Sequence, residues 1–292
     1  MPLLSASRAT LSSHRRACRS RAIQAASPCT PIMASDLGQS RPTFALTKHV
    51  LLRWLWFGWL ATLVATFVSD WTRKWWWQGA RLDFAMISCL LLAVAAWVAW
   101  SRLRGTSAGR VMFWIAVGMT LGFYGDSHVG ERFWWPPFPH AIVGGIIFYG
   151  LGHLAYVGAS LLAARMEGLA GGWRWCGPIL AWQLVALVAW AAVALTSDKE
   201  AGLRIPTLIY TLLVAATPGF GAALAAQRPR YGWLALGGAL FLASDILLAW
   251  QLFHGAFAGL EVLKWTAYGG GEMLIVYGAI YALDAPQLSP TR

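Results

Sequence analysis

The chain is poor in charged residues, in asparagine and in cysteine. Only 12% of its 292 residues are charged, about half the share found in soluble globular domains. It contains no asparagine and therefore no N-glycosylation acceptor. Its four cysteines never occur in CxxC spacing, which argues against a zinc knot and against a redox pair. They are Cys18, Cys29, Cys89 and Cys176.

Hydrophobic residues dominate the composition instead. They make up 58% of the chain, including 19 tryptophans. This excludes an ordinary soluble domain and predicts an all-α, polytopic membrane bundle. The net charge of +11 does not indicate nucleic-acid binding. Much of it lies in the N-terminal tail and at helix ends, where basic residues set topology and meet anionic lipid headgroups.

Eight apolar segments joined by short connections predict about eight transmembrane helices in one domain over residues 48–284. Most segments have the length that a bilayer requires, although the third is short, at about 17 residues. The segments are 49–68, 81–101, 110–126, 140–164, 173–196, 204–226, 231–253 and 261–283.

Two tails flank this domain, at residues 1–47 and 285–292. The first is rich in arginine and serine and has no acidic residue before Asp36, a composition that resembles a transit peptide. The interpretation that we favour is an upstream start codon, with Met33 as the true first residue. We predict that the first tail is disordered.

The basic residues of the tails also predict the orientation of the chain. The connections carry equal numbers of basic residues on the two sides, and Arg41, Lys48 and Arg292 break the tie. Because positive charge accumulates on the cytoplasmic side, we expect both termini there. In a bacterium the protein would then lie in the inner membrane.

One acidic residue stands inside the seventh segment, and a second stands in the third. Asp245 is the only charged residue between 231 and 253, and Asp126 is near the end of its segment. A carboxylate is costly inside a membrane and commonly faces a cavity or a partner that matters for function. The alternative is an aspartate that is held by hydrogen bonds and contributes only to packing.

The two aspartates also belong to a weak internal repeat. They are 119 residues apart, and at this offset eleven of 44 positions between Trp114 and Val157 are identical. Composition alone would give about four identities, so a repeat of four helices is indicated. An even number of helices preserves direction, so the two halves would be parallel and related by an axis along the membrane normal.

Such an axis would bring matching positions together at the centre of the bundle. His153 matches Glu272 at the same offset, so we predict that both converge with the aspartates as Asp–His and Asp–Glu pairs. Tyr149 precedes His153 by four residues and Tyr268 precedes Glu272 by four, which places each pair on one helix face. Core packing is the alternative role for the histidine and for the tyrosines.

Short motifs recur in a fixed order around these residues. They are Gly125-Asp126, Phe148 with His153 and Tyr156, Ile205-Pro206 with Tyr210, Leu240-Phe241 with Ser244-Asp245, and Tyr268 with Leu274-Ile275-Val276. With these motifs the chain resembles the YhhN-type lysoplasmalogenase family of eight-span membrane proteins, over residues 110 to 283. Two positions depart from the family pattern: Glu272 stands in place of a usual glutamine, and Arg81-Leu82-Asp83 replaces a lysine-proline element.

The resemblance implies hydrolysis of the vinyl ether of a lysophospholipid in the bilayer, without a cofactor. It also implies that Asp126 and Asp245 are catalytic. The chemistry suits two carboxyl groups, because protonation at carbon needs a general acid and the attacking water needs a base. Apolar surroundings and a neighbouring carboxylate favour the protonated form of one of them. The expected pocket residues are His153, Tyr149, Tyr210, Tyr268 and Glu272.

Two other classes of function stay open at this point. The first is a metal-dependent intramembrane lipid hydrolase, whose ligands would come from histidine and carboxylate side chains. The second is a proton-coupled transporter or lipid-binding protein, because parallel repeats with midplane carboxylates also occur in carriers. The sequence Gly105 to Gly109 fits GxSxG, but no strand precedes it, so we interpret it as chance. The histidines considered are His128, His140, His153 and His254.

Overall fold

The computed structural model describes residues 49–71, 80–130, 141–169 and 171–284. Within these ranges the chain forms eight long α-helices and no β-strand, which confirms the predicted fold class. The expected tails and His140 lie outside the described residues. The helices are α1 Val50–Trp71, α2 Ala80–Leu103, α3 Ser107–Val129, α4 Ala141–Met166, α5 Trp173–Ala194, α6 Arg204–Ala225, α7 Gly232–His254 and α8 Leu260–Asp284.

Six of the eight helices are long and apolar enough to cross a membrane, and α3 and α8 are not among them. These two helices carry Asp126 and Glu272, and both are rich in glycine. Both also bury many residues inside the bundle, where neighbouring helices cover them. Polar residues in such interior helices face protein instead of lipid, which lowers the cost of keeping them in a membrane.

The third helix is longer than the sequence suggested. The predicted length of about 17 residues was wrong, because α3 has 23 residues. Its N-terminus is extended by a cap, in which the Thr106 side chain accepts a hydrogen bond from the Gly109 amide at 2.9 Å. At its C-terminus the Gly130 amide donates to the Asp126 carbonyl at 2.8 Å.

Consecutive helices are packed side by side within each half of the chain. Contacts run from α1 through α4 and again from α5 through α8, and the halves meet where α4 packs on α6 and where α8 packs on α2 and on α3. A repeat of four helices accounts for two of these contacts, because adding four to each helix number turns the contact of α4 with α6 into that of α8 with α2. The contact between α3 and α8 does not follow this pattern, and it is the one that brings Tyr268 to Asp126.

Two glycine contacts recur at the repeat offset of 119 residues. A Cβ atom on Gly152 would lie 3.0 Å from the Gly118 carbonyl oxygen, across the contact between α3 and α4. A Cβ atom on Gly271 would lie 2.9 Å from the Gly237 carbonyl oxygen, across the contact between α7 and α8. Both helix pairs therefore approach closely because side chains are absent. This match supports the predicted internal repeat.

Candidate active site

A cavity opens between α2, α3, α4, α7 and α8. It has a volume of about 80 Å³, which is enough for several water molecules. Its walls come from the N-terminal halves of α2, α4 and α8 and from the C-terminal halves of α3 and α7. The polar lining residues are Asp126, Tyr149, Ser244, Asp245, Lys264 and Tyr268, and the apolar ones include Ala85, Met86, Val129, Leu248 and Trp265.

Asp126 accepts hydrogen bonds from two tyrosines. Tyr149 of α4 donates to Oδ1 at 2.5 Å, and Tyr268 of α8 donates to Oδ2 at 2.8 Å. Gly125 makes room for the first of these contacts, since a Cβ atom there would lie 2.7 Å from the Tyr149 ring. Both carboxylate oxygens are therefore engaged by hydroxyl donors, which stabilise the ionised form of the group.

Asp245 has a different environment on α7. Tyr210 of α6 donates a hydrogen bond to its Oδ2 at 2.7 Å. At the repeat offset Tyr149 matches Tyr268 and Asp126 matches Asp245, so the repeat predicts a hydrogen bond from Tyr268 to Asp245. Tyr268 instead bonds to Asp126, as Tyr149 does. The two aspartates thus line the same cavity with unequal hydrogen bonding. This asymmetry is the main departure from the repeat in the site.

Glu272 lies deeper, with a side chain that is only 1% exposed. The thiol of Cys89 on α2 bonds to its carboxylate, with Sγ–Oε distances of 3.0 and 3.2 Å. The Tyr268 hydroxyl oxygen is 3.7 Å from the same sulfur. Asp126 also lies close, since the Cys89 sulfur and one carboxylate oxygen from each of Asp126 and Glu272 lie within 4.8 Å of one another. The expected approach of Glu272 to an aspartate is therefore found at Asp126.

His153 does not line the cavity, in contrast to the expected Asp–His pair. Its Nδ1 atom is 2.7 Å from Thr217 Oγ1 on α6, and its ring packs edge-on against Phe241, with centroids 4.6 Å apart. It is almost fully buried. The structure therefore places His153 in the packed core behind the site.

The described histidines that were considered for a metal site do not come together, since His128 and His254 have different partners. The His128 ring packs on Phe148, with centroids 4.8 Å apart, and its Nδ1 atom is 2.9 Å from the Tyr124 carbonyl. His254 is 2.9 Å from the Val193 carbonyl instead. Among the described residues, the group that could hold a metal ion consists of a thiol and two carboxylates. These ligands are Cys89, Asp126 and Glu272.

Two residues of the site were missed from the sequence alone. Cys89 stands in an apolar run without any spacing motif, so nothing marked it as a partner of Glu272. Lys264 was not singled out in the sequence, although its side chain lines the cavity. Its spacing of four residues before Tyr268 was a signal that it shares a helix face with the tyrosine.

Comparisons with known proteins point to one family. The model of the YhhN family matches residues 80–279, a range that contains the lining residues of the cavity. Two curated proteins named Lysoplasmalogenase, from Mycobacterium bovis and Mycobacterium tuberculosis, are each 28% identical over 179 residues. The match covers 61% of this chain and spans 64% of the length of each relative. No solved structure matches the chain.

Proposed function

Because the chain belongs to the YhhN family, we propose that it hydrolyses the vinyl ether bond of lysoplasmalogen-like lipids, giving a fatty aldehyde and a glycerophospho-headgroup. One observation carries this proposal. Two aspartates from different helices line a single cavity, and each accepts a tyrosine hydroxyl. A pair of carboxyl groups in unequal surroundings is what a reaction with separate acid and base steps needs.

We assign the two roles from the hydrogen bonds. Asp126 accepts two tyrosine hydroxyls, so it is the better stabilised as a carboxylate. Asp245 accepts one from Tyr210 and shares a cavity with the charge of Asp126, which favours its protonated form. Asp245 is therefore the general acid, and Asp126 is the anion that stabilises the cation and activates water.

The reaction then follows with balanced proton transfers. Asp245 donates its proton to the vinyl carbon that is not bonded to the ether oxygen. The other vinyl carbon and the oxygen then form an oxocarbenium ion beside Asp126. Water adds to this carbon as Asp126 takes its proton, which gives a hemiacetal. The hemiacetal hydroxyl then gives its proton to Asp245 as the carbon–oxygen bond to glycerol breaks and the aldehyde forms, and the glycerol oxygen takes the proton held by Asp126, which restores both carboxyl groups. The sum is the addition of one water, and both carboxyl groups act as acid or base in turn.

Lipid mass spectrometry with the purified protein tests this proposal. We expect a 1-alkenyl lysophospholipid to yield free fatty aldehyde and the glycerophospho-headgroup. The matched 1-alkyl lipid should stay intact, because a saturated ether has no carbon that a weak acid can protonate. The proposal is wrong if the alkenyl lipid persists while an ester lysophospholipid is cleaved.

A further inference from the structure

The cavity contains a charged side chain that the proposed mechanism does not use. Lys264 of α8 lines it, and its side chain is 13% exposed. The ammonium group donates to Gln251 Oε1 at 2.7 Å and to Glu261 Oε1 at 3.0 Å. Gln251 in turn donates to Glu261 at 2.9 Å. The positions of the cation and of the carboxylate are thus held jointly by α7 and α8.

These charges stand in a fixed order along α8. Glu261 lies in the first turn, Lys264 follows three residues later, and Tyr268, which bonds to Asp126, follows after four more. At 1.5 Å per residue, Lys264 is about 4.5 Å beyond Glu261, and Tyr268 is about 6 Å beyond Lys264. From the helix end toward the aspartates, the order is a negative charge, a positive charge and the reacting centre.

A lysophospholipid with an amino-alcohol headgroup presents the complementary order. Its amine comes first, then its phosphate, its glycerol and finally its vinyl ether. Five bonds separate the phosphorus from the vinyl ether oxygen, which in an extended chain is about 6 Å. This matches the rise from Lys264 to Tyr268. A phosphate near Lys264 would then place the vinyl ether near the level of Tyr268, which bonds to Asp126.

From this order we infer that Lys264 and Glu261 form a headgroup subsite for a phosphate ester of an amino alcohol. The inference rests on the proposed function, because it orients the same lipid in the same cavity. Lys264 binds the phosphate and Glu261 binds the amine. The two side chains bond to each other, and a zwitterion between them would offer an opposite charge to each without a change in net charge.

Binding of lipids that cannot react tests the subsite apart from the chemistry. The probes are 1-alkyl-glycerophosphoethanolamine, 1-alkyl-glycerophosphate and 1-alkylglycerol, measured with the purified full chain. Lys264→Gln should weaken binding of both phosphate lipids about 10- to 100-fold, the range for losing one charge-assisted hydrogen bond. Binding of alkylglycerol should stay unchanged. Lys264→Arg should retain phosphate binding, because the charge is kept.

Glu261→Gln separates the two halves of the subsite. It should weaken binding of the ethanolamine lipid and leave binding of the phosphate lipid equal or stronger. The matched control is Lys199→Gln, which removes an exposed cation from the connection between α5 and α6. This control should leave binding of all three lipids as in the wild type.

Two results would overturn the subsite. One is an equal loss for all three lipids in Lys264→Gln, which would make the lysine structural. The other is a Glu261→Gln variant that binds the ethanolamine lipid and the phosphate lipid with the same relative affinity as the wild type. This second test stands even if Lys264→Gln does not fold. Hydrolysis of the alkenyl lipid is measured separately, so a failure of the proposed reaction is told apart from a failure of the subsite.

Discussion

The substitutions Asp126→Asn and Asp245→Asn test the two proposed catalytic groups one at a time. Asparagine keeps the size of the side chain but can neither donate an acidic proton nor carry the charge. At position 126 its amide can still meet the hydroxyls of Tyr149 and Tyr268, because a phenol oxygen also accepts hydrogen bonds. We therefore expect the bundle to fold and the detergent stability to persist or to rise, since a buried charge is gone.

The expected loss of activity is large for each single variant. Removing one acid–base group costs about 10²–10⁴-fold in rate. The double variant should lose little more than either single one, because the two carboxyl groups act on one reaction and their effects are not additive. Tyr210→Phe removes only a hydrogen bond to Asp245, so we expect a smaller loss, about 10- to 100-fold.

The assay is the rate of aldehyde release from an alkenyl lysophospholipid over a range of pH. The wild-type rate should follow a bell, falling at high pH as the acid loses its proton and at low pH as its partner gains one. Asp198→Asn is the matched control. It removes an exposed aspartate in the connection between α5 and α6 and should leave the rate unchanged.

A wild-type rate in both asparagine variants would refute this reasoning. The aspartates would then be structural, and the proposed hydrolase would have no residues to carry its chemistry. Losses that multiply in the double variant would instead show two independent contributions, against a shared acid and anion.

Four further predictions concern the surroundings of the site and the topology. Glu272→Gln should keep most of the activity, because the thiol of Cys89 can donate to an amide oxygen as well; loss of turnover in a folded variant would make Glu272 catalytic. Gly271→Ala should destabilise the protein by about 1–3 kcal/mol through overpacking, whereas Gly232→Ala, with open space around its Cβ position, should not change the melting temperature. A strong chelator should leave turnover unchanged, since the proposed acid and base are the carboxyl groups of Asp126 and Asp245; a stoichiometric metal that Cys89→Ser removes would contradict this. A reporter fused after Arg292 should be active only on the cytoplasmic side, because the tails carry the excess of positive charge, and activity outside would reverse the topology.

Much of the architecture could be predicted from the sequence because it depends on local properties of the chain. The seventh helix was expected at 231–253 and is found at Gly232–His254. The fourth was expected at 140–164 and is found at Ala141–Met166. Apolar runs of bilayer length, bounded by charged residues and glycine, determine such boundaries without reference to the rest of the fold. The rarity of carboxylates inside these runs likewise singled out Asp126 and Asp245.

The partners of these side chains were decided only by the tertiary structure. Tyr268 bonds to Asp126 although the repeat matches it with Asp245, Glu272 meets the unmarked Cys89, and His153 turns toward Thr217. Each outcome depends on how far two helices approach and on how each is rotated about its axis. Those quantities come from contacts such as that of Gly271 against the Gly237 carbonyl, which join positions far apart in the chain, so no local pattern contains them.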